Sequence, residues 1–518
     1  MRLDKLGRAP VGEPARPQTL AQLLDGLPGF QRRGASDLLI SGVAYHSREV
    51  VPGGIFVALK GWRTDGHRFL EDSLTRGARV IVTEQDLIPP PGVTVVRVPD
   101  ARRALAHLSA AFYGHPSRDL VLVGITGTNG KTTTSYLLEA ILGAAGRRVG
   151  VVGTINYRIG PLTRPAPVTT PESLDLQKLL REMQEALVSH ALIEVSSHAL
   201  DLSRVDCTRF AAGVFTNLSQ DHLDFHQDLD SYFAAKARLF TEILPAGGGL
   251  AVLNLDDPRG RELHRRLKGP RLTYGLHPES EVRPLTYRLL PDAQEALIET
   301  PSGRMEIFSR LVGPFNLANI LAAAATALGL GFAPGLIADG IADLSGVPGR
   351  LERLNLPGRP QVFVDYAHTP EALALAQAAL RRLGFSRLIT VFGCGGDRDR
   401  GKRPLMGRAA AQASDLVVVT SDNPRSEEPL AIIGEIEAGL KAAGFPQLNG
   451  SGARRGEPGY LIIPDRREAI SVGVNLAGPE DAVLVAGKGH EDYQILGDER
   501  RHFDDREEAL KALEEYSH

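Results

Sequence analysis

The stretch LVLVGITGTNGKTTTSYLLEAIL, residues 120–142, decides how the chain is read. LVLVGIT is a continuous apolar, β-branched-rich run, the pattern of a strand buried on both faces of a parallel sheet. Beyond Lys131 the apolar residues Leu137, Leu138, Ile141 and Leu142 form the stripe of an amphipathic helix. The turn between them is a glycine-rich loop at a helix N-terminus. Unpaired backbone N–H groups and the positive end of the helix dipole favour anionic oxygens there, and Gly127 and Gly130 let the backbone approach closely. Lys131 can reach the β- and γ-phosphates of a nucleotide, and Thr132 or Thr133 can offer a hydroxyl to Mg²⁺. The spacing departs from the common G-x-x-x-x-G-K-[ST] loop, because Ile125 stands at its first glycine position. That argues against the ordinary GTPase class. A purely structural glycine turn is the plainer alternative, but strand, loop, Lys-Thr-Thr and helix all agree on nucleotide binding.

The rhythm of strand, polar turn and helix recurs along the chain. ALIEVSS (191–197), GVFTNLS (213–219), QVFVDYAH (361–368), RLITVFGCGG (387–396), DLVVVTSDN (415–423) and DAVLVAGKGH (481–490) each read as a buried strand running into a turn. This alternation predicts an α/β fold with parallel sheets and crossover helices. Turn-rich YGHPSRD (113–119) and SGVPGRLE (345–352) mark two junctions. The expected organisation is a flexible arm over 1–17, a small mixed α/β domain over 18–116, a central P-loop parallel-sheet domain over 117–346 and a C-terminal Rossmann-like α/β domain over 347–518. A chain of 518 residues is also too long for one ordinary core.

Composition narrows the partners. Lys plus Arg number 59 against 62 Asp plus Glu, a formal charge of -3, so no global basic field draws the chain to nucleic acid or a membrane surface. Apolar residues at 43% and charged residues at 23% exclude a disordered chain. With only Cys207 and Cys394, a disulfide framework or a cysteine-rich zinc site is excluded, and the thiols fit a reducing compartment. MRLDKLGRAPVGEPARPQTL lacks the apolar core of a secretory signal. Residues 311–338 carry no charge and are long enough for a membrane span. Pro314, Asn316, Asn319 and Pro334 interrupt them, so a buried helix of a soluble domain is the better reading. The Gly-rich insert GSGARRGEPG (450–459) reads as an exposed loop. We expect a cytoplasmic monomer acting on small molecules, with no nucleic-acid partner and no membrane insertion.

Glu194, Ser196, Asn217, Asp365, Gly393, Asp422 and Gly487 all fall at or just past the C-terminal ends of predicted strands, the edge where open parallel sheets bind ligands. TGTNGKTTT (126–134), EVSSHAL (194–200), TNLSQDHLDFH (216–226), YFAAKARLF (232–240), DYAHTPEAL (365–373), GCGGDRDRGKRPLMG (393–407), SDNPRSEEP (421–429) and AGKGHEDYQ (486–494) resemble the Mur ligase family. The resemblance runs in order from about residue 37 to 510. Within the family the strings are most similar to the ligases that add the third peptide residue to UDP-N-acetylmuramoyl-L-alanyl-D-glutamate in peptidoglycan precursor synthesis. It implies that ATP converts the D-glutamyl carboxylate to an acyl phosphate, that the amine of a diamino acid attacks it, and that phosphate leaves.

Residue by residue, the resemblance puts Gly127, Thr128, Asn129, Gly130, Lys131, Thr132 and Thr133 on ATP, with Asn319 near the adenine. Mg²⁺ would be held by Thr132, Glu194 and His222. Lys236, which on a helix would otherwise be a solvated charge, would be carbamylated to N6-carboxylysine, an anion able to attract the metal where an ammonium repels it. Lys131, Glu194, His222 and Lys236 are thus the implied catalytic set. AYHSREVVPGGIFVALKGWRTDGHRF (44–69) resembles the family's uridine-nucleotide domain, giving Ser47, Trp62, Arg63 and Thr64. Thr169, Thr170, Ser196, Arg204 and Lys236 would line the rest of the UDP-muramyl-dipeptide site. His368 is a further candidate for binding phosphate or substrate.

The added amino acid is read from Arg398, Asp422, Asn423, Pro424, Arg425, Gly487 and Glu491. meso-Diaminopimelate ends in an amine and a carboxylate, whereas L-lysine and L-ornithine end in an amine alone. A guanidinium can bind the distal carboxylate bidentately but would face an unpaired ammonium if lysine were bound. Asp422, Asn423 and Glu491 can accept from ammonium groups. The alternatives are the same ligase using L-lysine or L-ornithine, a folylpolyglutamate-synthase-type ligase, a nucleotide switch, or a polar loop merely stiffened by Pro424.

Overall fold

A computed structural model describes residues 18–61, 64–221, 225–290 and 292–516. The expected arm, Trp62, Arg63 and His222 lie outside the described residues. The chain divides into two compact units, one running to Arg283 and including Glu299–Gly303 and Ala318–Gly340, the other comprising Pro284–Ile298, Arg304–Leu317 and the chain from Ile341.

In the first unit, Val121–Thr126 is an inner strand of an eight-stranded sheet, between His190–Glu194 and Ala212–Phe215, and parallel to both. Val149–Val152 follows on one side, continued by the antiparallel pair Asn156–Ile159 and Leu162–Pro165. Leu250–Asn254 and Arg271–Tyr274 extend the other side in parallel. His190–Glu194 and Ala212–Phe215 are buried throughout and Val121–Thr126 from Leu122 onward, as their unbroken apolar runs require. Helix Lys131–Ala144 turns the expected stripe inward: Leu137, Leu138, Ile141 and Leu142 are 0% exposed. Each such side chain contributes about 1.5–3 kcal/mol relative to exposure. A five-stranded sheet precedes it, ordered Gln31–Arg33, Thr94–Arg97, Val80–Thr83, Ile55–Val57 and Val43–Ala44, parallel apart from its first strand. Its inner strands Ile55–Val57 and Val80–Thr83 are buried at every position. At the first junction, Gly114 and His115 take left-handed conformations and Pro116–Arg118 forms a 3-10 turn.

The second unit carries a six-stranded sheet ordered Glu352–Leu354, Gln361–Asp365, Ala482–Ala486, Leu388–Phe392, Leu416–Val419 and Gly459–Ile462. All neighbours are parallel except the edge strand Glu352–Leu354. A hairpin of Tyr493–Leu496 and Glu499–His502 follows.

Residues 311–338 form two helices, Pro314–Gly329 and Pro334–Asp343. Both prolines sit at a first helical position, where a missing N–H costs nothing, so the residues that seemed to interrupt one helix instead begin two. Among the described residues no helix is long and apolar enough to cross a membrane. One expectation needs correction: the insert at 450–459 is not an open loop. Asn449 Oδ1 accepts from Gly452 N–H at 2.9 Å and caps a short helix, Gly450–Arg454, whose Ala453 is fully buried.

Candidate active site

The nucleotide loop is shaped by its glycines. Gly127 and Gly130 have φ of 148° and 86°, and a Cβ would overlap Thr216 Oγ1 at the first and Asn319 Oδ1 at the second. Asn319 therefore packs against the last glycine of the loop. Asn217 braces the turn, its carbonyl accepting from Thr128 N–H and its Oδ1 from Asn129 N–H, both at 2.9 Å. Thr216 Oγ1 donates to the Asn129 carbonyl at 2.6 Å. Lys131 Nζ folds back onto the carbonyls of Gly127 and Thr128, each at 2.8 Å. The lysine is thus held over the N-terminus of its own helix, where a polyphosphate would draw it outward.

Thr132 opens toward Glu194 at the end of His190–Glu194. Glu194 is 1% exposed and accepts from Thr132 Oγ1 at 3.0 Å, Thr154 Oγ1 at 2.8 Å and Thr154 N–H at 3.1 Å. These donors are two hydroxyls and one amide, so the carboxylate oxygens are gathered among polar groups. Hard oxygen donors of this kind suit Mg²⁺, so Thr132 and Glu194 fit that ion.

Lys236 is not a solvated helical lysine. Helix Leu229–Arg238 turns it inward, leaving it 1% exposed, with Nζ donating to the Gly127 carbonyl at 2.8 Å. It thereby shares one acceptor with Lys131. Burial first, and the neighbouring Lys131 charge second, hold its ammonium well below the usual lysine range.

The remaining first-unit candidates, apart from exposed Thr64, are each held by hydrogen bonds of their own. Thr170 Oγ1 donates to the Glu194 carbonyl at 2.7 Å and accepts from Ser196 N–H at 3.1 Å. Ser196 caps helix Ser197–Asp201, and Thr169 meets Thr154 hydroxyl to hydroxyl at 3.1 Å. Arg204 is not an open cation: it pairs with Glu172 at 3.6 Å and donates to the Thr170 carbonyl at 3.0 Å. Ser47 is buried in a 3-10 turn and bonds Asp72, and Thr64 is exposed.

In the second unit the strand ends converge. Asn423 Nδ2 donates to Glu491 Oε2 at 3.0 Å, while burial raises the Glu491 carboxyl above its ordinary range. Gly487, at φ 115°, leaves room beside Asp422 Oδ2. Arg425 adopts φ 53° and donates through Nη1 to the Gly396 carbonyl at 2.7 Å. The hairpin strand fixes this loop: Arg425 N–H donates to the Ile495 carbonyl at 3.1 Å and Ile495 N–H to Asn423 Oδ1 at 3.0 Å. Pro424 lies over Gly396, whose hydrogen no Cβ could replace without striking the Pro424 carbonyl. Arg398 is exposed beside Gly395. His368 precedes helix Pro370–Arg381, its Nδ1 donating to the Tyr366 carbonyl at 2.9 Å; Thr369 caps that helix.

Residues 39–113 match the Mur ligase family, catalytic domain; 125–327 match the Mur ligase middle domain; 349–489 match the Mur ligase, glutamate ligase domain. The chain belongs to the Mur ligase family. It is 48% identical over 490 residues to a UDP-N-acetylmuramoyl-L-alanyl-D-glutamate--2,6-diaminopimelate ligase of Geobacter metallireducens, covering 93% of this chain and 96% of that protein. The enzyme of the same name from Geobacter sulfurreducens is 46% identical over 504 residues, 96% of this chain and 98% of its own. A solved structure of a ligase with that name superposes with a TM-score of 0.69 at 32% identity, covering 96% of this chain and 99% of that one. The Mur ligase has a small mixed α/β domain, a central P-loop parallel-sheet domain and a C-terminal Rossmann-like domain.

Three residues of this Mur ligase escaped the sequence reading. Thr154 follows strand Val149–Val152, so the strand-end rule could have found it. Lys488 sits inside AGKGHEDYQ, a string already quoted, but gave no reason to separate it from its neighbours. Arg466 carried no signal. It is fully buried against Asp505, with Nε and Nη2 at 2.7 and 2.6 Å from the two carboxylate oxygens. Its remaining bonds go to the carbonyls of Ala486 at 3.0 Å and Ser421 at 3.3 Å, the residues just before Gly487 and Asp422.

Proposed function

We propose that this Mur ligase adds meso-2,6-diaminopimelate to UDP-N-acetylmuramoyl-L-alanyl-D-glutamate, hydrolysing ATP to ADP and phosphate, in cytoplasmic peptidoglycan precursor synthesis. The observation that carries the choice of amino acid is the gathering of Asp422, Asn423, Glu491 and Arg425 at adjoining strand ends. It supplies acceptors for an ammonium and a guanidinium for a carboxylate.

In this reading the loop Gly127–Thr133 holds the ATP phosphates through backbone N–H groups and Lys131. The γ-phosphoryl group passes to the D-glutamyl carboxylate, ADP leaves, and the amine attacks the acyl phosphate carbonyl. Phosphate then departs and the nitrogen loses a proton. Mg²⁺, with Thr132 and Glu194 among its ligands and His222 as an expected third, would neutralise charge on the transferring group. Lys236, held toward its neutral form, offers a lone pair to CO₂: an N–C bond forms, a proton leaves, and a carbamate anion replaces the ammonium. Ser47, Trp62, Arg63, Thr64, Thr169, Thr170, Ser196 and Arg204 are proposed for the UDP-substrate, and His368 for phosphate. Asn319 is proposed for the adenine, and Arg398 with Arg425 for the distal carboxylate.

Phosphate release with each substrate omitted in turn tests the reading. It should require both UDP-muramyl-dipeptide and a diamino acid, with diaminopimelate favoured over lysine and ornithine by on the order of 10⁴-fold. Preference for lysine or ornithine would overturn the choice of amino acid, release with ATP alone would favour a nucleotide switch, and full activity in Lys236→Ala would remove the carbamate.

A further inference from the structure

Lys488 stands in the amino-acid site without a role in the scheme above. Its side chain is fully buried, with Nζ 3.3 Å from Glu491 Oε2, 3.7 Å from Asp422 Oδ1 and 3.5 Å from Asn423 Oδ1. It also lies 5.2 Å from the centre of the Tyr493 ring. The three groups proposed to receive a substrate ammonium are therefore already arranged around an ammonium of the protein. Two carboxylates against one Lys488 charge leave a single negative charge, the complement of one more ammonium. Without Lys488 the carboxylates would face each other in a buried setting, where such a pair takes up a proton or a second cation.

We infer that Lys488 is a specificity-determining residue of the amino-acid site, favouring a side-chain end that carries both ammonium and carboxylate over one that carries ammonium alone. The reason is an asymmetry in the charges it meets. Diaminopimelate and lysine present the same ammonium to Asp422 and Glu491, so the repulsion from Lys488 is common to both. Only diaminopimelate adds a carboxylate nearby, and only that group is attracted by the Lys488 field in addition to Arg425. Removing the Lys488 charge relieves both ligands equally at the ammonium and penalises diaminopimelate alone at the carboxylate. Over the span of one small ligand at a partly screened site this amounts to roughly tenfold. The residue acts as an electrostatic positioning group and takes no part in bond making.

The inference rests on the diaminopimelate reading, and its test separates the two. Values of kcat/KM for diaminopimelate, L-lysine and L-ornithine are measured for the wild type, for Lys488→Met, and for the charge-balanced double variant Lys488→Met with Glu491→Gln, with melting temperatures alongside. The diaminopimelate-to-lysine ratio should fall about tenfold in the single variant and recover in the double. A single variant that unfolds while the double folds with the wild-type ratio supports the same charge balance. An unchanged ratio in the single variant, an equal fall in both, or failure of both to fold overturns the inference and leaves the diaminopimelate reading standing. A wild type that prefers lysine or ornithine defeats that reading, and this inference with it.

Discussion

The nucleotide loop takes most of its binding groups from one continuous turn, Gly127 to Thr133, whereas the proposed amino-acid site takes its own from residues 396–398, 422–425 and 487–491, with a hairpin laid across them. The first is held by backbone conformation: positive φ at two glycines and carbonyls spanned by Lys131 and Lys236. The second is held by charge, through the fully buried pair of Arg466 and Asp505 and the ammonium of Lys488. A contiguous cradle fails when an atom is added, and a dispersed site fails when a charge is taken away. Substitutions in the two regions should therefore leave different signatures.

The largest effect is expected from adding one methyl group. Gly127→Ala places a Cβ on Thr216 Oγ1 and forbids the observed φ of 148°, so turnover should fall by about 10³-fold through misplaced N–H donors. Steady-state phosphate release with a melting curve alongside checks this. Activity within tenfold of wild type, on the order of 1.4 kcal/mol, would show that the turn tolerates an added Cβ.

Next comes the buried pair. Arg466→Met leaves the Asp505 carboxylate uncompensated and should cost about 3–5 kcal/mol of stability, most of which a second change, Asp505→Leu, should restore. The carbonyls of Ser421 and Ala486 remain without their guanidinium in both variants. The KM for the diamino acid should thus stay raised in the stable double variant while the KM for ATP does not move. Equal rises in both KM values would erase the distinction between the regions.

The smallest effect concerns acid. His490 lies between Tyr366 and Gly349, and burial, with lesser contributions from Arg350 and Arg506, holds its imidazole pKa down at about 3. Between that value and the ordinary 6.5 the unfolded chain binds the proton and the folded chain does not, so stability falls as pH drops through this window. Urea unfolding should lose up to about 2 kcal/mol between pH 7 and pH 5 from this group, and less in His490→Asn. Hydrogen exchange at pH 5 should then show the second unit opening before the first. Matching pH slopes in wild type and variant would remove His490 as the cause.

The contrast also explains what the sequence could tell. Strand runs such as ALIEV and DLVVV were legible because a strand buried on both faces must be apolar at every position. The shape of the Gly127–Thr133 turn was legible because its residues are consecutive between a buried strand and a helix. Lys236 was readable only through resemblance, since nothing local distinguishes a lysine turned inward from one in solvent. Arg466 was opaque for a stronger reason: its partner Asp505 is distant in sequence, and a charged residue at the start of a helix usually means a solvated end. The 450–459 insert misled because glycines suggest an open loop, while a single asparagine cap is enough to close one helical turn.

The Arg466–Asp505 pair also has a consequence in time. Asp505 begins the helix Asp505–Glu514, whereas Arg466 and the two strands whose ends it bonds all precede it in the chain. A growing polypeptide can therefore finish the Gly127–Thr133 turn while the loop proposed to choose the amino acid still lacks its counter-charge. On that proposal, selectivity is the last property such a chain acquires during synthesis, and it would be the first lost to any cut that released this helix.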